Sequence, residues 1–250
     1  MLKGVRGAGA GMKLLLLGYG RMGRLVEALA PKYDCEVAGV LDSRINRDGE
    51  ALAPGSWADV DVAIDFSTAA AAEVNFPRLA ALGIHVVLGT TGLQGSMERF
   101  QRVAADAGIG VVAAPNFSTG AVLFSEIARA AAGLLAPVEE YGAWIHELHH
   151  AAKRDAPSGT ALALLARVQE AGYIRPVDVA ATRAGSFPGT HTVGFDGPSD
   201  TITLTHTVRD RGTFARGALV AARWVASRSG WFTMHDCLGL TGRSRGLDAE

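Results

Sequence analysis

The stretch MKLLLLGYGRMGRLVEAL, residues 12–29, decides the fold of the first half of this 250-residue chain. Its apolar run at 14–17 predicts a buried strand. The glycine pattern G-x-G-x-x-G follows at once at 18–23, and apolar residues at helical spacing continue to Leu29. The sequence therefore predicts a strand, a tight glycine turn and a helix, the context in which this glycine pattern binds a dinucleotide.

Asp42 gives the dinucleotide interpretation independent support. It ends a second apolar run at 37–41, nineteen positions after Gly23, where a carboxylate can accept hydrogen bonds from the adenosine ribose. In the turn, Gly18 permits the sharp bend, Gly20 lets the backbone approach the pyrophosphate and Gly23 allows close helix packing. The residues predicted to contact the pyrophosphate are Gly18, Tyr19, Gly20, Arg21, Met22 and Gly23.

The residues around Asp42 leave the choice of cofactor open. A carboxylate at this position repels a 2′-phosphate and favours NADH, whereas the guanidinium of Arg44, after Ser43, can hold that phosphate. We expect NADH, NADPH or both as the cofactor, leaning to NADH or dual use, with Asp42, Ser43 and Arg44 at the ribose.

Three further apolar strands end in small or polar residues: DVAIDFSTAAA at 61–71, IHVVLGTTG at 84–92 and IGVVAAPNFSTG at 109–120. Strands alternating with helices predict a doubly wound, Rossmann-type parallel sheet. Ligands of such sheets bind at the carboxyl ends of the strands. The expected rim of the cofactor crevice is Phe66, Ser67, Gly89, Thr90, Thr91, Ala114, Pro115, Asn116 and Phe117.

The second half predicts an α+β domain with an open, mostly antiparallel or mixed sheet. A helix is expected around 121–134. In DTITLTHTV, 200–208, threonines alternate with apolar residues and His206, which predicts a half-buried strand whose threonine face is solvated or forms an oligomer interface. The segment 214–240 is expected to be helical, with Trp224 in the core, and to return to the first domain.

These patterns predict the domain boundaries. Residues 12–116 form the dinucleotide-binding domain, 117–216 the substrate-binding and oligomerisation domain, and 217–250 the returning segment. Residues 1–11 lack a hydrophobic period, and we expect either a flexible extension that begins at Met1 or a misplaced start, with Met12 as a plausible native start.

Charge and composition restrict the partners. A net charge of −1 gives no electrostatic basis for binding nucleic acid or an anionic membrane, so the expected partner is a small molecule. Cys35 and Cys237 predict neither a disulfide framework nor a cysteine-based metal site. No apolar run approaches the roughly 18 residues of a membrane span, and the N-terminus lacks a signal-peptide core. We expect a cytoplasmic protein.

Residues 146–150, HELHH, match H-E-x-x-H, the zinc-binding pattern of metalloprotease helices. The residues before it include Gly142 and the β-favouring Trp144 and Ile145, and Pro157 follows closely. These residues predict a strand reaching into a loop rather than a helix. We therefore predict no metal site from this pattern.

A dense group of polar residues follows the predicted strand. Pro157 is expected in the first turn of an apolar helix, whose unpaired N–H groups form an anion site. The group predicts a pocket for a small substrate bearing carboxylates, with one side chain able to donate a proton. Its members are His149, His150, Lys153, Ser158, Gly159 and Thr160.

This segment also carries a family resemblance. ELHHAAKRDAPSGTA, 147–161, resembles the signature E-x-H-H-x-x-K-x-D-x-P-S-G-T-A of the 4-hydroxy-tetrahydrodipicolinate (dihydrodipicolinate) reductase family. The motifs GRMG, DFS, GTTG, PNFSxG, RxGxxPGTHxV and FARGA also resemble those of the family, in its order, between about Lys13 and Leu240. The chain departs from many members in its shorter GYGRMG turn, and in having Asp42-Ser43 where others have Glu-Arg.

The resemblance implies NAD(P)H-dependent reduction of 4-hydroxy-tetrahydrodipicolinate, via dihydrodipicolinate, to tetrahydrodipicolinate in lysine and diaminopimelate biosynthesis. It implies His149 as the proton donor, Lys153 as its partner in protonation and substrate binding, and a homotetramer formed through the second-domain sheet. It puts His150, Ser158, Gly159 and Thr160 at the substrate carboxylates. The residues alone leave two alternatives: another two-domain nicotinamide oxidoreductase, such as an amino-acid dehydrogenase, and a non-catalytic NAD-binding regulator.

Overall fold

The computed structural model describes residues 11–241, so the extension predicted at 1–11 lies, apart from Gly11, outside the described residues. The chain divides into two compact units. Among the described residues, the first comprises 11–118 and 214–241, and the second comprises 119–213. Within the described part, no helix is both long and apolar enough to cross a bilayer.

The first unit contains six strands that pair in parallel, with helices between them. Numbered along the whole chain, its strands are β1 (Met12–Leu17), β2 (Cys35–Leu41), β3 (Val62–Asp65), β4 (His85–Leu88), β5 (Gly110–Ala113) and β10 (Gly230–Phe232). Its helices are α1 (Arg21–Leu29), α2 (Ala69–Ala81), α3 (Met97–Ala107), α6 (Gly212–Val225, from Phe214 on) and α7 (Met234–Cys237).

The strands lie in the order β10-β5-β4-β3-β1-β2, which confirms the predicted doubly wound sheet. The central strands β1 and β3 are buried along the four residues that they pair. A parallel strand covered by helices on both faces is a nearly continuous apolar run, which is why the run at 14–17 predicts β1. Phe76 of α2 and Phe100 of α3 stack with ring centroids 4.3 Å apart.

The returning C-terminal segment is only partly helical, so the prediction for 214–240 is wrong in its second half. After α6 the chain forms β10, where the N–H of Gly230 donates to Ile109 O at 3.0 Å. This strand adds an edge to the sheet beside β5. Trp224 is half-buried rather than in the core, because its ring lies edge-on to Phe232, with centroids 4.9 Å apart, near the surface.

The second unit has four strands in the order β7-β6-β8-β9, with β6 and β7 parallel and the other pairs antiparallel, as expected of a mixed sheet. Its elements are α4 (Thr119–Leu135), β6 (Gly142–His149), α5 (Gly159–Glu170), β7 (Val177–Arg183), β8 (Thr190–Asp196) and β9 (Thr201–Thr207). Helices α4 and α5 and the sheet enclose an apolar core that includes Phe124, Ile145, Leu164, Tyr173, Val193 and Phe195.

Strand β9 is less buried than its alternation predicts. Its threonine face is exposed, and Thr205 there bonds Thr192 at 3.0 Å. On the opposite face His206 lies 5.7 Å from Phe124 of α4, but Ile202 remains 42% exposed. Only part of the apolar face is therefore covered by helix within this unit.

Candidate active site

The order of the parallel sheet reverses at β1. The chain runs outward from β1 to β2 and then returns to β3 on the other side of β1, which makes the β1–β3 edge the switch point where doubly wound sheets bind ligands. A pocket at this point is lined by these residues of the predicted cofactor set: Gly18, Tyr19, Gly20, Asp42, Ser43, Arg44, Phe66 and Ser67.

The glycine turn has the geometry that a pyrophosphate requires. Gly18 has a φ of +87°, and a Cβ there would lie 2.6 Å from Phe66 O. A Cβ on Gly23 would overlap Gly18 O, whereas a Cβ on Gly20 would meet no protein atom within 4 Å. The space in front of Gly20, at the N-terminus of α1 that contains Arg21 and Met22, is therefore open and fits a bound phosphate.

Asp42 and Arg44 lie together at the end of β2. The Arg44 N–H donates to Asp42 Oδ1 at 2.9 Å, and Arg44 Nε lies 3.6 Å from Asp42 Oδ2. The Arg44 side chain is 88% exposed. A ribose at this position would meet a carboxylate and a guanidinium that is free to move toward it.

The ends of β4 and β5 form a second pocket, lined in part by Thr90, Thr91, Ala114 and Pro115. Gly89 packs on Phe66, since a Cβ there would overlap the ring. The remaining predicted residues shape the loop. The Asn116 side chain accepts from Ser118 N–H at 2.8 Å, and the buried Phe117 lies edge-on to Phe66 at 6.0 Å.

Asp65 is a site residue that the sequence reasoning missed. It is buried at the end of β3, and its Oδ1 accepts from Ser67 N–H at 2.8 Å and Thr90 Oγ1 at 2.9 Å. Burial raises the pKa of Asp65, while the bonds from Ser67 and Thr90 partly offset that rise. The side chain therefore ties together the loops after β3 and β4, which border the two pockets.

In the second unit, β6 carries the candidate catalytic residues. The strand predicted for the H-E-x-x-H segment is confirmed. Because side chains alternate along a strand, His146 faces outward and pairs with Thr182 at 2.9 Å, whereas Glu147 and His149 face inward and are buried. An extended strand rises ~3.3 Å per residue, so it does not bring the two histidines of the pattern, His146 and His150, to one ion as a helix turn would.

Glu147 is the centre of the buried polar network. It has no exposed surface, and its Oε1 accepts from Ser158 N–H at 2.8 Å and Arg183 Nη2 at 2.7 Å. Burial raises the pKa of the Glu147 carboxyl, but the hydrogen bonds from Ser158 and Arg183 outweigh it and the pKa falls below its ordinary value. Glu147 is therefore an ionised carboxylate at neutral pH.

His149 lies beside this carboxylate. Its Nδ1 is 2.9 Å from Glu147 Oε2, and its ring lies edge-on to His191, with centroids 5.1 Å apart. Burial lowers the pKa of His149; Glu147 raises it, and Lys153 and Arg183 lower it further, so the net shift is downward. Burial and the neighbouring His149 lower the pKa of His191 to about 4.

The start of α5 differs in detail from the prediction. Ser158 is the N-cap, with Oγ accepting from Ala161 N–H at 3.2 Å, so Pro157 precedes the helix instead of occupying its first turn. Both the N–H and the hydroxyl of Ser158 are already bonded within the protein. The N–H groups of Gly159 and Thr160 have no acceptor within the helix and are the donors left for an anion.

Lys153 is held by Asp155, in the loop between β6 and α5. Its Nζ contacts both carboxylate oxygens of Asp155, at 2.8 and 2.9 Å, and its N–H donates to His150 O at 3.1 Å. The loop thus brings His149, His150 and Lys153 together. In this loop Asp155 is the acidic partner of the Lys153 ammonium group.

Three further residues around His149 were missed by the sequence reasoning. Arg183 and His191 bond Glu147 and Ser158 respectively, and Gly189, with a φ of +147°, lies against the His149 ring. All three belong to the motif RxGxxPGTHxV. That motif could have indicated a site here, but its sequence alone does not show which of its residues contact β6.

Two family models match nearly all of the described chain. The model described as "Dihydrodipicolinate reductase, N-terminus" matches residues 12–117, and the one described as "Dihydrodipicolinate reductase, C-terminus" matches 120–238. The two matches together include both the glycine turn and the network around Glu147.

Similar proteins agree with these models. Two curated relatives are named 4-hydroxy-tetrahydrodipicolinate reductase. The one from Christiangramia forsetii is 35% identical over 239 residues, covering 91% of this chain and 98% of the relative. The one from Acidiphilium cryptum is 38% identical over 253 residues, covering 93% of this chain and 99% of the relative. A dipicolinate-bound dihydrodipicolinate reductase from Paenisporosarcina sp. TG-14 shares the fold, with a TM-score of 0.74 at 22% identity over 89% of this chain and 97% of that one.

Proposed function

The chain belongs to the dihydrodipicolinate reductase family, and we propose that it reduces 4-hydroxy-tetrahydrodipicolinate, through dihydrodipicolinate, to tetrahydrodipicolinate in lysine and diaminopimelate biosynthesis. It is an oxidoreductase that uses NADH or NADPH. The observation that carries the proposal is the buried pair of Glu147 and His149 in the second unit, near Lys153 and the start of α5. This arrangement combines a proton donor with two kinds of group that bind carboxylates.

The cofactor, when bound, supplies the hydride. The first unit would hold it through the open backbone at Gly20 and the N-terminus of α1, which favours the pyrophosphate charge. Asp42 and Arg44 would lie at the ribose, and Asp65 holds the loops after β3 and β4 together. Each of these residues therefore has a role in binding or orienting the cofactor.

The substrate is a small dicarboxylate, and the second unit offers cationic and N–H groups for it. Lys153 exchanges its bond to Asp155 for a substrate carboxylate, with His150 beside it. The N–H groups of Gly159 and Thr160 bind a carboxylate at the start of α5. Ser158 keeps the start of α5 in place, since its N–H donates to Glu147 and its hydroxyl accepts from Ala161 N–H.

His149 donates the proton that completes the reduction. Its lowered pKa makes it largely neutral in the free protein at neutral pH. A substrate with two carboxylates adds negative charge nearby, which raises the pKa of His149 and favours its protonated form when the substrate binds. Glu147 is buried and ionised, and its Oε2 lies 2.9 Å from His149 Nδ1, so it stabilises the resulting imidazolium.

The test is a coupled assay. Dihydrodipicolinate synthase generates the unstable substrate from pyruvate and aspartate semialdehyde, and the loss of NADH or NADPH absorbance is followed. Synthase-dependent oxidation supports the proposal. No oxidation by protein that still binds NADH would overturn it and point to another substrate.

The role of His149 is tested with a matched pair of variants. His149→Gln should lower kcat by about 10²- to 10⁴-fold, the usual contribution of a general acid, with NADH affinity unchanged. His146→Gln, on the opposite face of the same strand, should retain the wild-type rate. Equal rates in the two variants would remove His149 from the mechanism.

The proposal includes a homotetramer formed through the sheet of the second unit. The supporting observation is the exposed threonine face of β8 and β9, where Thr192 bonds Thr205 and Thr190 bonds Thr207. A charged substitution at this face, Thr205→Lys, should reduce the mass measured by light scattering. An unchanged mass would show that any assembly uses another surface.

A further inference from the structure

Three buried side chains in the second unit direct nitrogen and oxygen donors to one point. One donor atom from each of Glu147, His149 and His191 lies within 4.8 Å of the other two. We propose that these residues form a binding site for a divalent transition-metal ion, Zn²⁺ by its ligand set, and that the bound ion inhibits the enzyme. The binding stands on geometry alone, whereas the inhibition rests on the proposed function.

The distances between the donor atoms suit a tetrahedral ion. Glu147 Oε2 lies 2.9 Å from His149 Nδ1 and 3.6 Å from His191 Nε2. A tetrahedral Zn²⁺ with bonds of ~2.0–2.1 Å holds its ligand atoms about 3.3 Å apart. These two separations bracket this value, and the ion would replace the 3.2 Å contact of His191 Nε2 with Ser158 Oγ.

Two of the donor atoms lack a hydrogen-bond partner among residues 11–241. Glu147 Oε2 and His149 Nδ1 are both buried, and neither makes a hydrogen bond within the described structure. They are close to each other, but their contact does not have the direction of a hydrogen bond. Buried polar atoms are nearly always paired, and an ion between these two would satisfy both.

The rest of the network leaves one carboxylate oxygen for the ion. Ser158 N–H and Arg183 Nη2 both donate to Oε1 of Glu147, which fixes the carboxylate and turns Oε2 toward the histidines. The positive charge of Arg183 opposes a dication and lowers its affinity. Imidazole nitrogen and carboxylate oxygen are ligands that Zn²⁺ accepts, and three protein ligands leave a fourth position for water.

This site differs from the one that the H-E-x-x-H letters suggest. His146 faces the other side of β6, where it bonds Thr182, while His191 comes from β8, the antiparallel neighbour of β6. An ion on Nδ1 of His149 prevents the ring from carrying protons on both nitrogens. The imidazolium that donates the proton cannot then form, and turnover stops.

The test adds Zn²⁺ alone to the purified full-length protein and measures binding by calorimetry and the reductase rate in parallel. We expect one ion per chain, and inhibition over the same range of free Zn²⁺. His191→Gln and His149→Gln should each weaken Zn²⁺ binding at least tenfold, since even the loss of a residue outside the ligand set costs 10- to 100-fold. His146→Gln, the matched control, should bind Zn²⁺ like the wild type.

Several outcomes separate the two claims. Zn²⁺ affinities that are equal in all variants, or no stoichiometric binding, would overturn the site. Variants that lose Zn²⁺ binding but keep the wild-type circular dichroism spectrum and urea unfolding curve are folded and support it. Stoichiometric binding that depends on His191, in a protein without reductase activity, would keep the site and overturn the proposed function. Binding without inhibition in an active enzyme would overturn the inhibitory role.

Discussion

Replacing Gly189 with alanine should lower kcat about tenfold without changing NADH affinity. A Cβ at Gly189 would lie 3.0 Å from His149 Nε2 and 3.2 Å from its Cδ2. Ordinary contacts begin near ~3.5 Å, so the ring must retreat by about half an ångström. Little room is available, because His149 is 8% exposed and packs edge-on against His191.

The size of the effect follows from that displacement. A misplacement of about 1 Å costs up to about 10²-fold in rate, so half of it costs about tenfold, or ~1.4 kcal/mol of activation free energy. The matched control is Gly185→Ala. Gly185 also has a positive φ, +48°, but a Cβ there meets nothing within 4 Å, so it incurs a backbone cost of ~1–2 kcal/mol in stability without touching His149.

The assay compares kcat of the two variants with synthase-generated substrate, alongside NADH binding by fluorescence and unfolding by urea. A lower kcat for Gly189→Ala alone, with both variants folded, supports the reasoning. Equal kcat values in folded Gly185→Ala and Gly189→Ala would refute the claim that Gly189 determines where His149 lies.

Three further predictions concern other parts of the chain. Asp42→Ala should shift the ratio of kcat/KM for NADPH over NADH upward by about tenfold, because it removes ~1.4 kcal/mol of like-charge repulsion while Arg44 remains; an unchanged ratio would contradict this. Ser158→Ala should lower the free energy of unfolding in urea by about 1 kcal/mol, since Oγ caps α5; an unchanged unfolding curve would exclude the cap. Burial raises the pKa of Glu126, but the hydrogen bonds from Arg167 and Arg129 outweigh the effect of burial and lower the pKa below its ordinary value of 4.5. Stability should therefore fall as pH drops below about 4.5 in the wild type and fall less in Glu126→Gln; urea titrations at several pH values that coincide for the two proteins would contradict it.

The fold of the first unit could be predicted because its inner strands are short, apolar and buried. The run at 14–17, the glycine turn and Asp42 each constrain the same strand–turn–helix unit. Strand β10 could not be predicted, because its three residues, Gly230–Phe232, are too few to establish a period next to a long helix. Its position is determined by pairing with β5, a contact between residues far apart in sequence.

The candidate site was predictable only where the residues are close in sequence. His149, Lys153 and Ser158 occur within one segment, so their chemistry is visible in the letters. Asp65 and Glu147 were given no role, although both occur in quoted motifs, because a buried carboxylate in a strand has no local pattern that separates it from an exposed one. Their roles depend on partners contributed by other strands.

The pairing of the strands explains why the motif around His149 and the motif RxGxxPGTHxV act together. In the sheet, His149 is paired with Arg183 of β7, and Glu147 is paired with His191 of β8. Strand β6 lies between these two neighbours, so one carboxylate can meet a guanidinium from one side and an imidazole from the other. A slip of one residue in either pairing would turn Glu147 or its partner to the outer face, leaving a buried charge unpaired. The same network that orients His149 therefore also fixes the alignment of the sheet.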